Sequence, residues 1–99
     1  MRYSIENSSF ADEDIFEAAN WYEDKEKGLG LKFIDDLEQL LKYIEHHPLL
    51  FRQIKPSVYQ APFKVFPYVL IYNLDGLKVI IIAVFNCYQH PKKLQKRFI

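Results

Sequence analysis

The segment "VFNCYQHPKK", Val84 to Lys93, places five chemically versatile side chains directly after an apolar run. They are two amides, a thiol, a phenol and an imidazole: Asn86, Cys87, Tyr88, Gln89 and His90. A cysteine nucleophile needs a base within hydrogen-bond reach and a third group that orients the base. Side chains three positions apart in an extended chain point to opposite sides. Cys87 and His90 therefore do not predict a catalytic pair, and a buried or incidental thiol is the simpler interpretation.

A second pattern mixes cations with rings that could stack on bases. Proteins that bind RNA stack bases on Tyr or His and hold phosphates with Lys and Arg. The alternative is that these aromatics belong to a protein interface while the lysines keep a sheet edge soluble. The residue pattern alone favours neither. The set comprises Arg52, Lys55, Tyr59, Lys64, Tyr88, His90, Lys92, Lys93, Lys96 and Arg97.

The zero net charge of the 99-residue chain hides a strong division. Residues 1–47 hold 12 of the 13 acidic residues and 5 of the 13 basic ones, so the two halves carry formal charges of −7 and +7. The basic half could meet phosphates, which the acidic half would repel. A solvated acidic helix pair beside a mildly basic sheet explains the same division without any ligand.

Composition sets further bounds. The length suits one domain, 1–99, and one cysteine suits a reducing compartment. The start of the chain lacks the apolar run of a signal peptide, and Val79–Phe85 is too short to span a bilayer, so we expect a cytoplasmic protein without membrane contact. No phosphate-binding glycine loop, zinc spacing or nucleophile elbow is present. Adjacent His46 and His47 chelate poorly on a helix, and we expect no metal or cofactor.

The elements that position these residues follow from periodicity. Ser9 followed by Asp12 predicts a helix start, with Asp14 in the first turn favoured by the helix dipole. An apolar stripe follows at helical spacing, formed by Ala11, Ile15, Ala18 and Tyr22. Gly28 ends this helix, and a second stripe runs to the helix end before Pro48, formed by Leu29, Phe33, Leu37, Leu40 and Ile44. The pattern predicts an antiparallel helical hairpin.

Strands follow Pro48. "SVYQAPFKV" predicts an edge or bulged strand because of Pro62. "YVLIYN" and "KVIIIAVF" flank "LDGL", which predicts a hairpin. In both runs the odd and even positions are equally apolar, so both faces of the sheet need cover. Two helices cover one face, and we expect something else, including a second chain, to cover the other.

Four segments in order carry a family resemblance: "DIFEAANWYEDKEKGLGLKF", the helix ending at Pro48, "FPYVLIY" and "IIAVFNCYQHPKKLQKR". Over roughly Tyr3 to Arg97 the chain resembles the RelE/ParE superfamily, the toxins of bacterial type II toxin–antitoxin modules, also called plasmid-stabilisation proteins. The resemblance implies an α+β fold with a short N-terminal strand, an antiparallel helical hairpin and a three-stranded antiparallel sheet that the first strand joins. It also implies a cognate antitoxin, with Phe16, Trp21, Tyr68 and Tyr72 as contacts.

Function divides within the superfamily. RelE-like members cut mRNA on the ribosome, whereas ParE-like members inhibit DNA gyrase by binding, and the "WYE…GLG" loop looks more ParE-like. Many relatives have His at the position of Asn86, Arg at Gln89 and Trp at Leu94. Asn86 takes no proton near neutrality and Gln89 cannot neutralise phosphate, so these departures argue against RNA cleavage.

We therefore expect a ParE-like toxin that inhibits an essential target, with gyrase as one candidate. The alternatives are an endoribonuclease or an inactive homologue that serves as a binding or oligomerisation module, and whether the chain is an enzyme stays open. The candidate catalytic residues are Lys64, Tyr88 and His90. The candidate target- or nucleic-acid-binding residues are Arg52, Lys55, Lys92, Lys93, Lys96 and Arg97.

Overall fold

A computed structural model describes residues 2–88 of the chain, which form two helices and one five-stranded sheet. In chain order the elements are β1 (Ser4–Asn7), α1 (Ser9–Lys25), α2 (Leu29–His46), β2 (Arg52–Lys55), β3 (Val58–Pro62), β4 (Tyr68–Asp75) and β5 (Lys78–Asn86). The strands are ordered β1-β5-β4-β3-β2. β1 runs parallel to β5, and the other neighbours are antiparallel.

The helical hairpin forms as its apolar stripes predict, with the first helix starting one residue earlier than expected. Ser8, rather than Ser9, is the N-cap of α1, and its hydroxyl accepts a hydrogen bond from the Ala11 N–H at 3.1 Å. Gly28 lies between the helices at a φ of 90°, a left-handed conformation that a side chain would strain. The predicted stripes face the sheet, with Ala11, Phe33 and Ile44 fully buried.

The main core lies between the hairpin and one face of the sheet. Its largest fully buried sheet side chains are Leu70 and Tyr72 of β4 and Ile81 of β5. The Tyr72 hydroxyl donates a hydrogen bond to the Pro48 carbonyl, and burial followed by the nearby Tyr59 raises the pKa of Tyr72. Tyr72 thereby ties the middle strand of the sheet to the end of α2.

The sheet has more strands than predicted. The first strand joins it as expected, and Asp75 and Lys78 close the predicted β4–β5 hairpin across Gly76. The additional strand is β2, whose four residues are mostly exposed and carry no run of β-branched side chains. Because β2 pairs with β3, β3 is not an edge strand. Pro62 is tolerated because it lies at the end of β3, beyond the last β2 pair at Gln60.

The sheet face opposite the helices carries a second, smaller apolar cluster. Val58, Ile71, Ala83 and Phe85 form it, and each is less than a tenth exposed within this chain. These four side chains are therefore covered within the chain, and a contribution of a second chain to this face stays a prediction. Among residues 2–88, neither helix is both long enough and apolar enough to cross a membrane.

Candidate functional site

Cys87 and Tyr88, which directly follow β5, lie beside the β3–β4 loop. The Cys87 N–H donates to the Pro67 carbonyl at 2.8 Å, which joins the end of β5 to this loop. The Tyr88 N–H donates to the Asn86 side-chain oxygen at 2.9 Å. Asn86 thus stabilises the turn that ends β5, a common role for a short amide side chain. Cys87 and Tyr88 are both exposed at this turn.

A bulge decides which side chains at the end of β5 face the helices. Ile71 pairs with Ala83 and Tyr72 pairs with Ile81, so Ile82 is an extra residue. Ser8 holds the bulge, because its N–H donates to the Ile81 carbonyl at 2.9 Å and its hydroxyl donates to the Ile82 carbonyl at 3.3 Å. After the bulge Val84 packs in the main core, whereas Ala83 and Phe85 pack on the opposite face. Asn86 accordingly lies on the helix side.

Asp14 fixes α1 against this part of β5. β1 ends at Asn7 opposite Ile81, so no strand continues beside β5 from there. The Val84 N–H, which such a strand would otherwise satisfy, donates to the Asp14 Oδ2 at 2.9 Å. Asp14 is only 8% exposed. Asp14 was expected in the first turn of α1, but it lies beyond that turn, and its partner lies 70 positions away in the sequence.

A cavity of about 340 Å³ opens between α1 and the end of β5. One stripe of α1 forms its first wall, and residues of β4 and β5 form its second wall. The stripe is Asp14, Glu17, Ala18 and Trp21, and the second wall is Tyr68, Val84 and Asn86. We call this cavity the α1 pocket. Among residues 2–88, its lining combines two carboxylate side chains, two aromatic rings and an amide, and the carboxylates attract a cation and repel a phosphate.

An aromatic cluster supports the floor of the α1 pocket. Tyr68 lies 5.0 Å from Phe33 and 5.9 Å from Phe63 between ring centroids. Tyr22 packs edge-on against Phe66 at 4.7 Å. Burial, followed by the neighbouring Tyr68, raises the pKa of the Tyr22 phenol. These contacts hold Tyr68 in one place while part of its ring stays open to the pocket.

A second buried carboxylate lies on the α2 side of the same end of the sheet. Asp36 is 6% exposed, and its Oδ2 accepts the N–H groups of Val65 and Phe66 at 2.9 Å each. It therefore fixes the β3–β4 loop against α2. Lys64 belongs to this loop and is exposed, and it lines a cavity of about 840 Å³ together with Asp35 and Asp36. Lys64 thus lies at the same end of the sheet as Tyr88, but on the α2 side.

The two described β2 cations lie far from the end of β5. Arg52 of β2 aligns with Gln60, Ile71 and then Ala83 across the sheet, which places three strand spacings, about 14 Å, between it and β5. Lys55 lies still further along the sheet, and both residues are exposed. The structure therefore does not gather Arg52, Lys55, Lys64 and Tyr88 into one site. The other proposed contacts lie outside the described residues: His90, Lys92, Lys93, Lys96 and Arg97.

Comparison with known sequences identifies the family. A sequence model described as the ParE toxin of the type II toxin–antitoxin system parDE matches residues 5–90. The chain belongs to the ParE toxin family. No curated protein matches the chain significantly.

Solved structures agree with this ParE-family fold. The chain is similar to the chromosomal ParDE toxin–antitoxin system of P. aeruginosa, with a TM-score of 0.75 and 16% identity over 86% of this chain and 96% of that one. It is also similar to a double mutant of the E. coli toxin RelE in complex with a RelBc antitoxin peptide. That match has a TM-score of 0.64 and 16% identity over 100% of this chain and 96% of that one.

The "WYE…GLG" motif of this ParE-family chain now has a physical explanation. The Glu23 carboxylate accepts the Gly28 N–H at 3.0 Å and the Gly30 N–H at 3.0 Å, which satisfies donors at the start of α2. A Cβ on Gly30 would lie 2.7 Å from the Ala19 carbonyl oxygen, so only glycine fits where the helices meet. Trp21 and Tyr22, from the same motif, belong to the α1 pocket and to the aromatic cluster that supports it.

The four predicted antitoxin contacts separate into three groups. Phe16 is 70% exposed and Trp21 is 55% exposed, and five positions on a helix place them about 140° apart around α1. Tyr68 is half-buried in the α1 pocket. The prediction for Tyr72 was wrong, because its ring is completely buried beneath the helices. Equal apolarity of alternating residues in β4 concealed which side faces inward.

Among residues 2–88, no group of three His, Cys, Asp or Glu side chains is arranged to hold a metal ion. His46 and His47 have ring centroids 6.3 Å apart at the end of α2. No local pattern predicts the α1 pocket, since its walls come from α1 and from strands about 50 to 70 positions later. Asp14, Glu17 and Trp21 border the apolar stripe at Ala18, but they lie off the stripe and so looked like a solvated face.

Proposed function

We propose that this ParE-family chain is a toxin that inhibits an essential target by binding, with DNA gyrase as the candidate target, and that a cognate antitoxin neutralises it. The observation that carries this proposal is the lining of the α1 pocket at the end of β5. Asp14 and Glu17 place carboxylates there, and the Asn86 oxygen is engaged by the Tyr88 N–H. Cleavage of RNA requires cations on the developing phosphorane charge, and among residues 2–88 this lining supplies the opposite sign.

The distribution of the described cations supports the same proposal. Arg52 and Lys55 lie on the far edge of the sheet, and Lys64 lies beside α2. Phosphate held at Arg52 or Lys55 would not lie near Tyr88 unless the RNA spanned the sheet. A protein target, in contrast, can contact separated positions at once, because interfaces use patches of 20–30 residues a side.

A gyrase assay with the purified chain tests the target. We expect the toxin to inhibit supercoiling of relaxed plasmid by gyrase, and we expect an equimolar amount of the antitoxin encoded beside it to restore activity. Unimpaired supercoiling at a large excess of toxin would exclude gyrase as the target. Growth of a culture that expresses the toxin alone, compared with one that also expresses the antitoxin, tests toxicity separately from the target.

RNA cleavage is the second candidate, favoured by the exposure of Tyr88, which is 88% accessible directly after β5. Variants Tyr88→Phe and Lys64→Ala separate the two candidates. We expect both variants to keep their toxicity and to leave cellular mRNA intact, as the parent chain does. If the parent chain cuts mRNA at specific sites and both variants lose those cuts, the toxin acts by catalysis and not by binding. Antitoxin binding without toxicity at any expression level would identify an inactive homologue.

A further inference from the structure

Two cavities lie side by side along α2, on the side of the helix that faces the β3–β4 loop. They measure about 840 Å³ and about 640 Å³, and they share the lining residues Asp35, Asp36, Gln39 and Lys64. The larger cavity reaches Leu31 near the start of α2, and the smaller one reaches Tyr43 near its end. We call the two cavities together the α2 groove. It follows α2 for roughly 18 Å, at 1.5 Å per residue.

A row of exposed side chains on α2 borders the α2 groove. Its members are all exposed and follow each other at four-residue spacing: Leu31, Asp35, Gln39 and Tyr43. Side chains at this spacing form a ridge along a helix. The ends of the ridge are apolar, with Leu31 76% exposed and Tyr43 53% exposed, whereas its middle is polar. Helices pack by placing such a ridge of one helix into a groove beside another, so this surface has both parts of a helix-packing contact.

The wall opposite the ridge is rigid and offers an apolar side chain. Val65 is 73% exposed and lines the larger cavity, while the buried Asp36 carboxylate holds the N–H groups of Val65 and Phe66 at 2.9 Å each. An added β-strand would need free backbone donors on this wall, but these two are engaged and Pro62, in the smaller cavity, has none. A helix satisfies its own backbone and is therefore the better occupant.

The middle of the α2 groove carries two charges of opposite sign. Lys64 and Asp35 are exposed and line both cavities, but neither forms an ion pair with any residue from 2 to 88. The Asp36 carboxylate differs, because it is engaged by two backbone N–H groups. A patch that carries both signs is complementary to itself when a two-fold axis relates two copies, since each copy supplies both partners.

We propose that the α2 groove is the interface of a two-fold symmetric dimer, in which the ridge of each copy fills the groove of the other. An axis midway between Asp35 and Gln39 brings the Leu31 end of one ridge to the Tyr43 end of the other. The same axis brings Lys64 to Asp35 of the second copy, and this contact occurs twice. Lys32, at the Leu31 end of the groove, then meets the Tyr43 ring of the second copy, which attracts an ammonium group.

Analytical ultracentrifugation of the purified chain tests the dimer. The α2 groove is shorter than a standard protein interface, so we expect a reversible equilibrium between monomer and dimer with a Kd on the order of 10 µM. The measurement covers total concentrations from about 1 µM to about 500 µM, on both sides of this value. A monomer at every concentration would overturn the proposal.

Charge reversal localises the interface. Lys64→Glu and Asp35→Lys each place like charges opposite one another twice in the dimer, so each should raise the Kd about tenfold. The matched control is Lys78→Glu, which reverses the charge of an exposed lysine at the other end of the sheet and should leave the Kd unchanged. Equal weakening by Lys64→Glu and Lys78→Glu would assign the effect to net charge and contradict this interface.

A mixture of the two charge variants tests whether the contact runs between copies. In a mixed dimer, the carboxylate introduced by Lys64→Glu faces the ammonium introduced by Asp35→Lys, and the unchanged Asp35 faces the unchanged Lys64. We therefore expect the equimolar mixture to dimerise with a Kd within about threefold of that of the parent chain. A mixture that associates no more tightly than either variant alone would overturn the proposal, whatever the single variants do.

The apolar ends of the ridge give an independent test. Leu31→Ser should raise the Kd about tenfold, because a buried leucine contact is lost on both sides of the dimer. Leu77→Ser, at the 54% exposed position in the β4–β5 turn, is the control and should have no effect. If the parent chain is monomeric and Lys64→Glu instead weakens binding of the antitoxin encoded beside it, the α2 groove belongs to that protein and the dimer is wrong. None of these measurements depends on toxicity or on gyrase.

Discussion

Asp14 of α1 and Asp36 of α2 attach the two helices to the same end of the sheet, but they lie beside different surfaces. Each is a buried carboxylate that accepts backbone N–H groups from the same end of the sheet. Asp36 accepts two donors beside a cavity of about 840 Å³ that also contains Lys64, whereas Asp14 accepts the Val84 donor beside a cavity of about 340 Å³ that also contains Glu17. The same way of attaching a helix to a sheet therefore leaves a smaller cavity with a second carboxylate beside α1 and a larger one with a lysine beside α2.

The largest effect is expected from Asp36→Ala. It leaves two buried N–H groups without an acceptor, and the free energy of unfolding should fall by about 3 kcal/mol. Urea denaturation followed by circular dichroism measures the change. Asp35→Ala, at the exposed neighbouring position, is the control and should cost less than about 0.5 kcal/mol. A loss below 1 kcal/mol for Asp36→Ala would mean that water replaces the carboxylate.

Asp14→Ala should lower the free energy of unfolding by less, about 2 kcal/mol. It removes the acceptor of one donor, the Val84 N–H, in a site bordered by a cavity. The same denaturation experiment measures it, with Glu13→Ala as the exposed control on α1. If Asp14→Ala destabilised the chain more than Asp36→Ala, the contrast between the two carboxylates would be reversed.

Glu23→Ala tests the loop that joins α1 to α2, and therefore the connection between the two helices that carry Asp14 and Asp36. It removes the acceptor for the Gly28 and Gly30 N–H groups, a loss comparable to that of an N-cap, and should cost about 1.5 kcal/mol. Asp24→Ala on the exposed next position is the control. We expect thermal melting to show a lowered but still single transition. Equal melting temperatures for the two variants would contradict a capping role for Glu23.

Tyr72→Phe extends the comparison to an uncharged side chain that also joins the sheet to a helix end. The free energy of unfolding should fall by about 1 kcal/mol at pH 7, because the Pro48 carbonyl loses its donor. Burial raises the pKa of Tyr72, so the folded chain holds this proton more tightly than the unfolded chain. The stability due to this shift is complete below about pH 10 and is lost as the pH rises further. Denaturation at pH 7 and pH 11 should therefore show a smaller difference between parent and variant at pH 11.

The helices could be predicted from the sequence because their evidence is local. Successive apolar residues of the α2 stripe, such as Phe33 and Leu37, lie one turn apart, and the break at Gly28 directly precedes that helix. The carboxylate anchors could not be predicted, since the partners of Asp36 and Asp14 lie 29 and 70 positions away. The orientation of Tyr72 was misassigned, because β4 is apolar on both faces and its alternation carries no signal. The bulge at Ile82 likewise leaves no mark in an unbroken apolar run.

The parallel pairing of β1 with β5 has a consequence for how the chain acquires its active form. Ser4 pairs with Lys78, so the first strand can complete the sheet only after the last strand has been synthesised. Such distant pairing is slow compared with helix formation, because a long loop must close first. The α1 pocket needs Val84 and Asn86 in place, so it is assembled only in this late stage. A newly made chain would therefore offer its helices to a partner before it offers this pocket.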